Sequence, residues 1–271
     1  MHMIRSLLER RELLYNLITR NLKIRYKNSF FGFFWTFLNP LFMILVYTVF
    51  IGIMRFPIDL SYLIIGVIPW HFVTMCITDS INVIEGNSTL IKKTSFPRIF
   101  LPLSTMSANT VNFILSLLVV LLLIPVIKMV STGGESYQFN LLYLAPAILL
   151  HFILVSGISL IVGVSNVYFK DTEHIIGVSL MAWFFMSPII YPISMIQEIV
   201  INSKSVLKQM IAELYFLNPM VLILSLYRKA FLNTEIIWNR NVCFSIMICF
   251  IFFGFGIFIF KKKEMYFADE M

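Results

Sequence analysis

The chain reads as an all-α membrane protein with six transmembrane helices, and three observations predict this. Hydrophobic residues fill 59% of its 271 positions and charged residues only 13%, about half of the roughly 25% usual in soluble domains. Six apolar runs reach the roughly 20 residues that a bilayer-spanning helix needs. Lysine and arginine gather at the ends of those runs and not within them, as residues that set orientation and meet anionic lipid do. The net charge of +7 therefore points to a membrane surface and away from nucleic acid.

Residues 1–28 form a first unit, a cytoplasmic amphipathic helix. At 100° per residue, Glu12, Asn16, Arg20, Lys23 and Lys27 share one face, and Leu13, Leu14, Leu17, Ile18, Leu22 and Ile24 the other. That pattern lies in a membrane interface. Arg11 and Arg25 interrupt the apolar face, so they snorkel to headgroups or contact protein. Residues 29–271 form the second unit, the bundle. Its spans are predicted over 29–54, 60–84, 103–127, 141–167, 175–196 and 241–260. Prolines 40, 69, 125, 146 and 188 lie within them as kinks or hinges.

Between the second and third spans, residues 86–101 make a short, basic, proline-punctuated elbow that cannot enter lipid. Such an elbow is where a membrane protein receives a push from a cytoplasmic partner. Between the fifth and sixth, residues 192–240 are long and mixed in polarity, yet too apolar for disorder. Two helical pieces, 194–211 and 214–232, are expected there, either folded back into the membrane as short re-entrant gate helices or resting on its surface. The second is too short to cross comfortably. With six spans, the N-terminal segment, the elbow, the loop 168–174 and the tail share one side. They hold 7, 3, 1 and 3 Lys or Arg, against 7 in all on the other side. The positive-inside rule places that richer side, and both termini, in the cytoplasm.

Enzyme chemistry is missing. There is no Gly-Lys pair for a phosphate-cradling loop, no His-Glu-x-x-His and no Gly-x-Ser-x-Gly. The four histidines are scattered, and Cys76, Cys243 and Cys249 read as apolar packing residues. Asp79 is the one carboxylate within a span, near its cytoplasmic end, and reads with Glu85 as interfacial. Ion-coupled transport wants acids or unwound helices at the midplane, and a channel wants a polar stripe. The spans show neither acids nor stripe, so energy must come from outside the chain. The positive signal is aromatic. Phe33, Phe34, Trp35, Phe37, Phe42 and Tyr47 crowd the first span, and Trp183, Phe184 and Tyr191 the fifth. Such rings either stack on sugar faces or form interfacial belts.

An ordered set of short strings carries a family resemblance. It comprises Leu22-Lys23-Ile24-Arg25-Tyr26-Lys27 with Ser29, Gly32 and Trp35, then Asn39-Pro40, then Gly66 with Pro69-Trp70. There follow Leu90-Ile91-Lys92-Lys93 with Phe96-Pro97-Arg98, and Leu101-Pro102-Leu103-Ser104. Asn166-Val167-Tyr168-Phe169-Lys170-Asp171, Ser187-Pro188-Ile189 with Tyr191-Pro192, Leu217-Asn218-Pro219 and Tyr227-Arg228 complete it. The chain resembles the transmembrane subunit of ABC exporters for bacterial cell-surface polysaccharides, those of O-antigen, capsule and teichoic acid.

The resemblance implies a homodimer in the bacterial inner membrane, with the channel between subunits and two copies of a separate ATPase that binds ATP and Mg. This chain itself would hold no cofactor and no metal. Residues 90–98 would be the coupling helix, with Leu90, Lys92, Lys93, Phe96, Pro97 and Arg98 as its contacts. Arg20, Lys23, Arg25, Tyr26 and Lys27 would belong to the interface helix beside it. Residues 192–240 would gate the outer side, and the aromatics would line the path of a lipid-linked polysaccharide. Thr94-Ser95 follow Lys92-Lys93 where the family often carries an acid. Two alternatives stay open: an ABC permease for a small drug or lipid, and a membrane-embedded assembly factor or enzyme without an ATPase.

Overall fold

The computed structural model describes residues 10–25, 27–54, 59–93, 96–132, 138–202, 205–236 and 240–270. Tyr26, Thr94 and Ser95 lie outside the described residues. Every regular element among those described is helical. In chain order they are α1 (Arg11–Arg25), α2 (Trp35–Met54), α3 (Leu60–Ile81), α4 (Ser88–Lys93), α5 (Phe100–Thr132) and α6 (Leu144–Tyr168). Then come α7 (Thr172–Phe185), α8 (Ser194–Asn202), α9 (Val206–Tyr215), α10 (Pro219–Leu232), α11 (Arg240–Lys263) and α12 (Phe267–Glu270).

Among the described residues, five stretches are long and apolar enough to cross a membrane: Gly32–Phe50, Leu60–Ile81, Phe100–Val130, Leu141–Tyr168 and Arg240–Tyr266. A sixth is reached if the pair Gln209–Tyr215 and Pro219–Leu232, bent by 65°, counts as one span. The fifth predicted span, 175–196, is not continuous. Its helix α7 has 14 residues, about 21 Å at 1.5 Å per residue, short of a roughly 30 Å hydrocarbon core. Pro188 explains the stop, because it has no N–H to give and pushes Ser187 away from helical torsions. Asn218 then fixes the break, its Nδ2 donating to the Met186 carbonyl and to Ser187 Oγ at 3.0 Å each.

Helices α3 and α6 form the centre of the bundle, with 72% and 61% of their spans buried against 17–22% for the other three. α3 begins on Asp59, whose carboxylate accepts from the Ser61 N–H at 3.0 Å. α10 begins on Asn218, which caps Met220 N at 3.0 Å with Pro219 at the first turn, and it ends on Asn233 in the left-handed region (φ 52°). Those caps and a run of apolar side chains let α10 lie almost wholly buried against α3, α6 and α11. α10 is therefore packed into the bundle and not laid on its surface. Three helices, not two, occupy residues 192–240.

The tightest packing joins α6 to α11. A Cβ on Gly157 would stand 2.4 Å from the Phe252 carbonyl carbon, and one on Gly256 would stand 2.5 Å from the Gly157 carbonyl oxygen. Small residues that let two backbones approach are the usual means of holding helices together in lipid, where apolar burial offers little net drive.

Candidate functional site

The elbow is fastened at four points. Its core is apolar: Ile91, Ile99, Phe100 and Leu101 are buried in a cluster with Leu17 of α1, Val83, Ile84, Leu160, Val164 and Phe260. Polar ties surround that cluster. Arg20 Nη2 donates to Asn87 Oδ1 at 2.6 Å, and Asn87 Nδ2 closes back onto the Val83 carbonyl at 2.8 Å. Lys170, in the turn between α6 and α7, pairs with Glu85. Arg98 donates to the backbone carbonyl of Glu264 in the C-terminal tail. The tail adds Phe267, fully buried, its ring edge-on to Phe260 at 5.4 Å.

Of the predicted coupling residues, Lys92 and Lys93 point out and are exposed. Leu90, Phe96, Pro97 and Arg98 are half-buried. Phe96 packs against the apolar cluster. With Arg98, Glu264 and Met265 it also walls a surface groove.

The interface helix divides the same way. Lys23 and Lys27 are exposed. Arg20 and Arg25, by contrast, bond to other elements of the chain. Arg25 Nη2 pairs with Asp79 of α3 and donates to Asn109 Oδ1 of α5 at 2.7 Å, and Asn109 Nδ2 donates to Asp79 Oδ2 at 2.9 Å. Asn21 Nδ2 donates to Ser104 Oγ at 3.1 Å. Asp79 is thus the hub of a three-helix network and not a simple interfacial residue. Arg25, which breaks the apolar stripe of α1, is there to meet it.

Above this network a cleft of about 330 Å³ opens between α2, α3 and α5. Arg25, Asn39, His71, Asn109, Asn112 and Trp35 are among its walls. A second space of about 430 Å³, lined by Phe42 and Tyr47, continues from it through Asn39, Met43 and His71. No polar stripe stands out from the sequence, although Asn109, Asn112 and Ser116 repeat at i, i+3 and i+7 on one face of α5. α5 supplies these three, α2 adds Thr36 and Asn39, and α3 adds His71 to a common wall.

The predicted aromatics separate into three groups. Trp35, Phe42 and Tyr47 line these two spaces. Phe33 and Phe34 are exposed, and Phe37 packs edge-on against Phe33 at 6.1 Å. Trp183 and Phe184 pack edge-on against Trp70 at 5.5 and 5.8 Å, and Trp183 Nε1 donates to Asn218 Oδ1 at 3.0 Å. Tyr191 donates to the Phe185 carbonyl and lies 3.0 Å from Tyr215 Oη. The fifth-helix aromatics therefore hold the break after α7 in place. Among the described residues, no group of three His, Cys, Asp or Glu could hold a metal ion.

A family model described as ABC-2 type transporter matches residues 12–232. The chain belongs to the ABC-2 type transporter family. It is therefore a transporter and a multi-pass membrane protein. Among curated relatives, an O-antigen export system permease protein RfbA of Myxococcus xanthus is 33% identical over 232 residues, 84% of each chain. A protein of the same name from Klebsiella pneumoniae is 29% identical over 262 residues, 95% of this chain and 94% of the relative. A further Klebsiella pneumoniae protein of that name is 30% identical over 190 residues.

The family match takes in the interface helix, the elbow, the cleft and α10, and it stops before the tail that Arg98 grips. It also takes in a feature that sequence reasoning passed over. Arg228 of this ABC-2 chain is 3% exposed and lies 3.5 Å above the Tyr62 ring, and its Nη2 donates to the Ile189 carbonyl at 3.2 Å. A buried guanidinium needs such partners. Gly66 makes room for it, since a Cβ there would come within 3.0 Å of Nη2 and 2.6 Å of the Ile189 oxygen. The available signal was a basic pair, Arg228-Lys229, in an otherwise apolar α10, of which only Arg228 is turned into the core.

Proposed function

We propose that this chain is the membrane subunit of an ATP-driven exporter that moves lipid-linked cell-surface polysaccharide, O-antigen above all, across the bacterial inner membrane. It works as a homodimer with two copies of a separate ATPase, which bind ATP and Mg. The elbow end of the bundle and both termini face the cytoplasm. The observation that carries this reading is the likeness to O-antigen export permeases along 84–95% of the chain.

The elbow's geometry supports the division of labour. Lys92 and Lys93 are exposed cations on a short helix whose underside is buried among α1, α5, α6 and the tail. An acidic surface of the ATPase pairs with them. Displacement of the elbow as ATP closes that partner is carried without slack into α3 and α5, because Asp79, Asn109 and Arg25 tie the two helices to each other and to α1. The helices after the break at Pro188, held by Tyr191, Asn218 and Arg228, form the outer gate.

Deletion of the gene, with complementation, tests the reading. The expected result is loss of polymer from the cell surface and accumulation of lipid-linked polymer inside, restored by the wild-type chain. A double substitution Lys92→Glu, Lys93→Glu is expected to insert normally but to lose the copurifying ATPase. Unchanged surface polymer in the deletion strain would overturn the reading.

A further inference from the structure

Charge decides what the cleft between α2, α3 and α5 can hold. Among the described residues its one cation, Arg25, is in direct contact with the Asp79 carboxylate and with Asn109. The pair cancels, so a phosphate brought to Arg25 meets an adjoining carboxylate and gains little. The remaining polar side chains on its walls, Ser29, Thr36, Asn39, His71, Asn112 and Ser116, offer neutral donors and acceptors. Asn109 is 0% exposed with its amide already bonded to Arg25 and Asp79, and Asn112 beside it is 5% exposed. The other walls are apolar and flat. Trp35 stands at one side, and Phe72 and Phe113, stacked 4.5 Å apart, form the back.

Amide edges on one side and the Trp35 ring on the other match a ring with equatorial hydroxyls and a C–H face. The volume, about 330 Å³, lies at the small end of ligand clefts, which run from about 300 to 1,000 Å³.

We propose that this cleft is a sugar-recognition site within each protomer, and that it takes one uncharged sugar residue of the polymer and not the phosphate of its lipid carrier. The proposal rests on the export reading and adds to it where cargo is read: inside one subunit, directly against the Arg25–Asp79–Asn109 network that joins α1, α3 and α5. Occupation of the cleft and movement of the elbow then act on the same side chains.

Ser116 lines the cleft and gives a probe. In the purified complex with its ATPase, Cys243→Ser removes the exposed native thiol, and Ser116→Cys places a new one in the cleft. Alkylation of that thiol is timed while a neutral oligosaccharide, released from the cell's own surface polymer, is titrated in. Saturable protection is expected, with labelling slowed about tenfold once the oligosaccharide reaches roughly ten times its Kd. Asn112→Leu and, as a milder second variant, Asn39→Ala should shift the protection to higher concentration while the ATPase still copurifies.

Equal protection by inorganic pyrophosphate would overturn the proposal in favour of a carrier-headgroup site. No saturable protection by the oligosaccharide would overturn it outright. Either failure is separable from failure of the export reading, which is judged by the surface polymer of the deletion strain.

Discussion

Arg98 donates to the backbone carbonyl of Glu264 across 166 residues of sequence, so the elbow and the end of the chain are one structural piece. The tail is more than a basic anchor. Phe267 is fully buried against Phe260, and burying such a side chain is worth about 1.5–3 kcal/mol. A stop codon replacing Glu264 should leave the bundle inserted and correctly folded, because the removed residues touch only the elbow end. The elbow should lose its seat. Expected outcomes are normal membrane yield, weaker retention of the ATPase in pull-downs and a several-fold fall in exported polymer. Arg98→Ala should reproduce part of that loss. Full export by the truncated chain would show that the tail is passive.

Asp79 joins three helices, and a charge swap tests the joint. Asp79→Asn leaves Arg25 without a carboxylate, and Arg25→Gln leaves Asp79 without a cation. Each single change should lower the thermal midpoint of the purified complex and slow export. The swap Arg25→Asp with Asp79→Arg should recover part of both. The side chains are 29% and 34% exposed, so the coupling energy from a double-mutant cycle should be about 1 kcal/mol or less. Additive single effects, with no recovery in the swap, would mean that the pair is incidental.

What the sequence made legible depended on whether one helix carried the signal. The amphipathic period of α1 and the proline-marked basic elbow are each written in a contiguous stretch, and both elements form there. The break after Phe185 is not, because hydropathy reads residues 175–196 as one apolar run. Pro188 reads there as a kink within a span, and Asn218, distant in the chain, holds Met186 and Ser187 in a turn. The cleft was hidden for a related reason. Asn39 and His71 each stand among apolar neighbours, and helix packing alone sets them beside Asn109 and Asn112, which share a face of α5. The tail was hidden behind Lys261–Lys263, which read as the end of a span, although Met265-Tyr266-Phe267 follow.

At the other end of the bundle, Asp59 gives a pH dependence with a definite sign. Burial alone would raise its carboxyl pKa, but the hydrogen bond from Lys128, with the Ser61 N–H, outweighs burial and holds it below the usual range. A carboxyl depressed in the folded state stabilises above its unfolded pKa, near 3.9, and that contribution fades as pH falls through the folded value. The difference in thermal midpoint between wild type and Asp59→Asn should therefore be constant from neutral pH down to about pH 5. It should shrink below about pH 4. A difference unchanged at pH 3 would mean that the cap and ion pair are not what Asp59 contributes.

The contact between Gly157 and Gly256 makes the sharpest stability prediction, because the same helix supplies its own control. Alanine at Gly256 would put a Cβ 2.5 Å from the Gly157 oxygen, and alanine at Gly157 would put one 2.4 Å from the Phe252 carbonyl carbon. Both obstacles are backbone, so no side chain can rotate aside and α6 must separate from α11. Overpacking of that kind costs about 1–3 kcal/mol and sometimes more. Gly254 lies on the same helix, yet a Cβ there meets nothing within 4 Å, and alanine is the better helix former by about 1 kcal/mol. Gly254→Ala should therefore be neutral or stabilising, while Gly157→Ala and Gly256→Ala lower the thermal midpoint and the yield of folded protein in detergent. The contrast carries the test: if all three glycines tolerate alanine alike, α6 and α11 do not pack at the separation described, and the seat they provide for Phe260 and the tail is lost with it.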